Sequence, residues 1–403
     1  MMDALASAVA ALGAGPLAED GLQTHIAPLF ARHRAAFGAR VYLANHSLGR
    51  PLDATDDDLR EGLAAWYAAM GDAWDAWSAE LSAHRSRLAS LLHATRADSV
   101  VPKTSAGQGL RAVLNALPGV PRVVATRGEF DSLDVILRQY AHRDRIALNL
   151  VEPDANGLFD TADIVAAIAR GCDLCVVSEV IFTTGQRLSD LPAIVAAARG
   201  AGARILVDVY HSLGVFPVDV ATLDVDFAVG GAYKYLRGGP GACFLYVAPH
   251  VLESGLTTLD TGWFAKDDPF AYARPDPPRL AAGGDAWMES TPPVLTYFQA
   301  RAGQRLALAI GIERMRTHSL TQQRRLVSLL GDAGVAAIGG SDDRGAFVVV
   351  RDDRATELAE ALADRGLVVD ARGAWLRLCT DLVTTDAELV RAARELSVLR
   401  PRR

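Results

Sequence analysis

Arg204-Ile-Leu-Val-Asp208-Val-Tyr-His211-Ser-Leu-Gly214, followed by Gly231-Ala-Tyr233-Lys234-Tyr-Leu-Arg-Gly-Gly-Pro-Gly241, decides how this chain reads. The first segment is an apolar run without polar alternation that ends on a carboxylate. Such a run predicts a strand buried on both faces, with Asp208 at its carboxyl end. In open α/β sheets that end is where ligands bind. The second segment lodges one amine, Lys234, between a Gly-Ala pair and glycines that let backbone approach a ligand closely.

Working outward, similar short apolar runs recur at Asp98–Pro102, Arg122–Ala125, Leu174–Val177, Phe227–Val229 and Cys243–Val247. Helical patterns at Gly107–Ala116 and Leu191–Arg199 fall between them. Strands joined by helical crossovers predict an α/β fold, with a large, mostly parallel sheet covered by helices on both faces. The Pro-rich Asp267–Pro278 and Gly283–Pro293 break this rhythm. After them come a long helical stretch, Val294–Leu330, and short strands at Phe347–Val350, Leu367–Val369 and Trp375–Leu378. The expected organisation is an N-terminal arm with helices (1–40), a large domain (41–293) and a small α+β C-terminal domain (294–403) entered by the long helix.

The 403 residues carry 48 acidic and 41 basic groups, a net charge of −7, so no basic surface favours nucleic acid or an anionic membrane. No apolar run approaches the ~18 residues of a membrane span. Met1–Gly15 is Ala-rich without a basic start and reads as a helix or loose arm rather than a secretory signal. Cys172 and Cys175 form a lone CxxC, while Cys243 and Cys379 sit in apolar runs. Reduced, buried thiols in a cytoplasmic protein without a metal site are expected.

A strand-end carboxylate and an amine set among glycines suit pyridoxal 5′-phosphate (PLP), held as a Schiff base on Lys234. The pyridine ring is a better electron sink when protonated, and an anion such as Asp208 beside its nitrogen keeps it so. Holding that proton through a shift of two pKa units takes roughly 2.7 kcal/mol. Lys234 would also move protons at the substrate α-carbon. Singly, a strand-end aspartate often caps a helix and a lysine near glycines is often solvated; the joint pattern carries the reading.

Asp208–His211, Tyr233-Lys234 and the glycines that follow resemble fold-type I PLP enzymes of the class V aminotransferase superfamily, and within it kynureninases. The resemblance runs in order from about Tyr42 to the end. It includes Asn45-His46-Ser47-Leu48-Gly49, Thr104-Ser105-Ala106-Gly107, Thr184-Gly185, Gly262-Trp263-Phe264 and Ser290-Thr291-Pro292-Pro293. It implies that Thr104, Ser105 and Ala106 hold the cofactor phosphate at a helix start, with Tyr233, Trp263 and Thr291 reaching the same region. Trp263 would come from a neighbouring subunit. Phe130 would lie on the ring, and His211 would sit beside Asp208. Arg377 would take the substrate carboxylate, with Ser47 also on the substrate side, in a homodimer whose site lies between subunits. A helix cap at Ser105, ordinary core packing at Phe130 and a surface arginine at 377 are the plainer alternatives.

The chain departs from the kynureninase pattern at His46, where the family has Asn, and at Asp131-Ser132-Leu133, where it has Pro-Ser-Asp. The run after Arg377 also lacks the family's prolines and tyrosine. The leading expectation is a hydrolase that cleaves the β,γ carbon–carbon bond of L-kynurenine or a related γ-keto amino acid, giving anthranilate and L-alanine. Alternatives are a class V aminotransferase or β-lyase acting on another amino acid, and a non-catalytic binding scaffold. A cysteine desulfurase would need a nucleophilic cysteine on a mobile loop, which Cys379 in its apolar run does not offer.

Overall fold

Apolar, β-branched runs become strands where they can be buried on both faces, and seven of them form one sheet in the computed structural model, which describes residues 4–188 and 190–400. Met1–Asp3 of the expected arm and Pro401–Arg403 of the C-terminal region lie outside the described residues. In chain order the strands are β1 (Val41–Tyr42), β2 (Val100–Lys103), β3 (Arg122–Thr126), β4 (Ala147–Val151), β5 (Leu174–Ser178) and β6 (Arg204–Asp208). They continue with β7 (Phe227–Gly231), β8 (Cys243–Val247), β9 (Phe347–Arg351), β10 (Leu367–Val368), β11 (Asp370–Arg372) and β12 (Trp375–Cys379).

The large sheet has the order β2-β8-β7-β6-β5-β3-β4. β7, β6, β5, β3 and β4 run parallel, and β8 is antiparallel to both β7 and β2. Strands β5 and β7 are buried along their whole length, which is why they read as unbroken apolar runs. β4, at the sheet edge, alternates exposed and half-buried residues and gives no such run. This is the α/β architecture expected from the sequence, with a small antiparallel sheet β11-β12-β9 beside it.

Two apolar cores hold the chain. The first lies around the large sheet and takes in Leu22, Ile26 and Phe30 near the amino end together with Ala300, Leu306 and Ile310. The second gathers Val41 and Leu43 with Val348, Val350, Leu358, Leu376, Leu378 and Leu396. β1 therefore crosses to the second core, where it pairs in parallel with β10. The helical stretch expected at Val294–Leu330 is two helices, Leu295–Ile310 and Ile312–Asp332. Gly311 between them has φ +89°, a backbone conformation outside the helical region that glycine adopts freely. The last helix, Asp386–Leu399, starts on a capping box in which Thr385 and Glu388 bond each other's backbone N–H. Among the described residues no helix is long and apolar enough to cross a membrane.

Candidate active site

The connection from β3 leads outward to β4, and β5 then returns on the other side of β3. This reversal leaves a crevice at the strand carboxyl ends, the favoured ligand position in open α/β sheets. Thr126 ends β3, Ser178 ends β5, Asp208 ends β6, and Lys234 follows three residues after the end of β7. Ser178 and Asp208 are register partners, so the functional side chains lie on adjoining strands.

A cavity of about 340 Å³ opens there, lined by Thr104, Ser105, Ala106, Phe130, Ser132, Tyr210, Tyr233, Lys234 and Gly241 among others. At one end lies the start of the helix Ala106–Leu114. Ser105 caps it, its Oγ accepting from the Gln108 N–H at 3.1 Å. The Gln108 side chain accepts in turn from the Thr104 N–H and hydroxyl at 2.7 and 3.1 Å. Gln108 Nε2 donates to Glu289, which also receives Lys103 Nζ at 2.5 Å, so the loop at 289 is bonded to this helix start. A helix amino terminus flanked by hydroxyls attracts anions.

Lys234 is buried, and its Nζ lies 2.7 Å from His211 Nε2. The rings of Phe130, Tyr210 and Tyr233 stand 5.3, 5.3 and 5.7 Å from that nitrogen. Burial keeps His211 neutral, well below the usual histidine range. The tautomer that fits accepts from Lys234 at Nε2 and donates from Nδ1 to the Tyr235 hydroxyl at 3.0 Å. Asp208 is also buried and accepts from the Tyr210 N–H at 2.8 Å. Burial lowers the Lys234 amine and raises the Asp208 carboxyl, and the attraction between their charged forms opposes both shifts.

The amine is the nucleophile only when deprotonated. In cofactor-free protein, its rate of reaction with pyridoxal phosphate is therefore expected to climb with pH and level off well below the ordinary lysine value of about 10.4. Stopped-flow absorbance over a pH series measures this. A plateau reached only near the ordinary value would contradict the burial argument.

Next to this cavity is a second polar cluster. Arg377 and Asp370 face each other across β12 and β11 as register partners. Arg377 donates from Nε and Nη2 to the two Asp370 oxygens at 2.8 and 2.6 Å, and from Nη1 to the Phe182 carbonyl at 2.5 Å. His46 Nε2 lies 2.7 Å from Asp370, and the Ser47 hydroxyl donates to it too. The Phe347 ring packs against His46, His211 and Arg377, and Phe182 packs edge-on against Phe130. The two clusters are thus contiguous.

Of the residues singled out from sequence, Thr104, Ser105, Ala106, Phe130, Tyr233 and Lys234 line the cavity, and Asp208 and His211 lie behind it, bonded to the lining residues Tyr210 and Lys234. Ser47 and Arg377 meet in the adjoining cluster. Trp263 and Thr291 do not line the cavity; Trp263 donates to the Thr291 hydroxyl at 3.1 Å and packs among Trp74, Phe264 and Phe270.

Asp370 and Glu129 are additions that only the fold reveals. Glu129 is buried beside the ends of β3 and β5, where the Thr126 and Ser178 hydroxyls bond its two oxygens at 2.6 Å each. Burial, which outweighs those bonds, pushes its carboxyl up to about 7. Its position three residues after Thr126 was the available signal, legible once the end of β3 is known.

The class V aminotransferase family model matches residues 50–386. The kynureninase of Salinispora tropica is 28% identical over 82% of this chain and 83% of its own length. The kynureninase of Deinococcus radiodurans is 34% identical over 49% of each chain. An uncharacterized aminotransferase of Bacillus subtilis, YcbU, is 28% identical over 78% of this chain and 82% of its own. Among solved structures, a variant of the cystine C–S lyase C-DES, with glycine covalently linked to its PLP cofactor, superposes with a TM-score of 0.81 at 18% identity. That match covers 91% of this chain and 98% of the other. A cysteine desulfurase from Thermococcus onnurineus gives 0.77 at 18% identity, over 89% and 94% of the two chains, and both likenesses establish the fold alone. The chain belongs to the class V aminotransferase family of pyridoxal-phosphate enzymes.

Proposed function

We propose that this chain is a kynureninase-like hydrolase, which cleaves the β,γ carbon–carbon bond of L-kynurenine or a related γ-keto amino acid to anthranilate and L-alanine. The cofactor fits what the residues offer. The cavity has a hydroxyl-flanked helix start for a phosphate, an aromatic face at Phe130 and an amine at Lys234, and the buried carboxylate of Asp208 lies just behind it, bonded to the N–H of the lining residue Tyr210. When bound, PLP supplies an electron sink for the pair of electrons left at the substrate α-carbon.

The chain's own groups do the rest. Lys234 Nζ takes the α-proton, and His211 Nε2, 2.7 Å away, holds the amine in place as acceptor. Asp208 would supply the negative charge that the ring nitrogen needs to stay protonated. The Tyr233 hydroxyl orients the water that adds to the γ-ketone; the ketone–β-carbon bond then breaks, its electron pair takes up a proton at the β-carbon, and Lys234 returns the α-proton to complete L-alanine. Arg377 and Ser47 orient the α-carboxylate. In a homodimer, Trp263 and Thr291 would serve a second copy's cavity, a reading supported by their lying outside the lining of this one.

The observation that carries a hydrolase over a cysteine desulfurase is the state of the cysteines. All four are buried free thiols, and burial pushes the Cys379 thiol far up, so none is poised as a persulfide carrier. Mixing the PLP-loaded protein with L-kynurenine should release anthranilate, read by its fluorescence, with one L-alanine for each anthranilate. No anthranilate at high enzyme concentration would sink the reading. Accumulation of the pyridoxamine form with a panel of amino acids would replace it with transamination.

A further inference from the structure

A carboxylate already fills the place assigned above to the substrate's carboxylate. The Asp370 side chain is held by His46 Nε2 at 2.7 Å, by the Ser47 hydroxyl and by the Nε/Nη2 edge of Arg377 at 2.8 and 2.6 Å. These three donors come from the loop after β1 and from β12, distant in sequence and brought together by the β1–β10 and β11–β12 pairings. They converge on one anion as an amino-acid site would.

We propose that Asp370 is a built-in occupant of this carboxylate seat and a specificity-determining residue that a substrate carboxylate must displace. The inference rests on Arg377 being the carboxylate arginine, as read above. With Asp370 in place, the Arg377 charge is already matched, and an incoming anion gains little from it. Asp370 is the member able to leave. Its side chain is 18% exposed, against 3% for Arg377 and 0% for His46. A second cation waits outside the seat: Arg372 Nη1, on a half-exposed side chain two residues along the same strand, is 3.8 Å from Asp370 Oδ2. Swinging toward Arg372 would open the seat while keeping Asp370 paired. A primary amine without a carboxylate needs no such displacement.

The test uses PLP-loaded wild-type protein, Asp370→Asn and Asp370→Ala, with folding checked by thermal melting. Each is titrated with L-alanine and with ethylamine, the same skeleton lacking the carboxylate, and binding is followed by the cofactor's absorbance. L-Alanine is expected to bind about tenfold or more tighter to Asp370→Asn than to wild type, with ethylamine unchanged. Asp370→Ala should show the same selective gain. Unchanged L-alanine affinity in both variants overturns the proposal. Weaker binding also overturns it, because Asp370 would then be a buttress that positions Arg377. Arg377→Ala distinguishes the underlying reading: if it leaves L-alanine affinity intact, Arg377 is not the carboxylate arginine, and both the assignment and the proposal fall.

Discussion

Lys234→Ala should lose turnover by at least about 10³-fold, since it removes both the group that bonds the cofactor and the one that moves the α-proton. The purified variant should lack the absorption band of lysine-bound cofactor. It should still fold, because the substitution gives up a hydrogen bond to His211 but relieves the burial of an amine. Non-covalent holding by Thr104, Ser105 and the start of helix Ala106–Leu114 would persist, so gel filtration with PLP should show retained but unbonded cofactor. A variant spectrum identical to wild type would refute the assignment of Lys234.

The largest structural effect is expected at Asp381. This fully buried carboxylate pairs with Arg237 Nη2 and lies 3.7 Å from Arg50 Nε. Arg237 sits three residues after Lys234 with φ +55°, and its Nη1 donates to the Tyr235 carbonyl at 2.7 Å. Asp381 thereby ties the turn that carries Lys234 to the segment after β12. Asp381→Ala strands two buried guanidinium groups and should cost about 3–5 kcal/mol, seen as a lowered melting temperature. Burial alone would raise this carboxyl, but Arg237 and Arg50 hold it below the ordinary range. Its contribution is therefore complete above the unfolded-state value of about 3.9 and fades as pH falls through the folded value. Asp381→Asn should melt lower at neutral pH and lose less on acidification. Equal melting temperatures for wild type and Asp381→Ala would show that the pair contributes nothing.

The central strands were legible because burial on both faces requires continuous apolar runs, as in Leu174–Ser178 and Phe227–Gly231. Ala147–Val151 escaped notice because an edge strand keeps polar and half-exposed positions. The break at Gly311 was hidden since a glycine inside a helical pattern is tolerated more often than it ends one. At the site, Asp208 and Lys234 announced themselves through local context, a strand end and a glycine-rich turn. Asp370 had none. It looked like one of 48 acidic residues until β11 and β12 placed it opposite Arg377. His46 stood out only as a departure from a family pattern, and only the fold shows that it bonds Asp370.

Gly49 illustrates a constraint of another kind. Its N–H donates to the Tyr233 carbonyl at 2.8 Å, and a methyl group there would fall 2.0 Å from the Lys234 carbonyl oxygen. No side chain fits between this loop and the turn that carries Lys234.

The pairing of Val41–Tyr42 with Leu367–Val368 has a consequence for the order of events on the ribosome. Val41 and Leu43 are almost wholly buried, yet their partners are made some 320 residues later. The Cys379 N–H that closes on the Leu43 carbonyl at 2.7 Å comes later still. During synthesis this short apolar stretch must wait uncovered while the large sheet assembles. At about 5–20 residues per second that interval is on the order of tens of seconds. The second core can then close only after β12 and the helix Asp386–Leu399 have been made, which makes the nascent segment around Val41 a natural client for a chaperone that shields apolar surface.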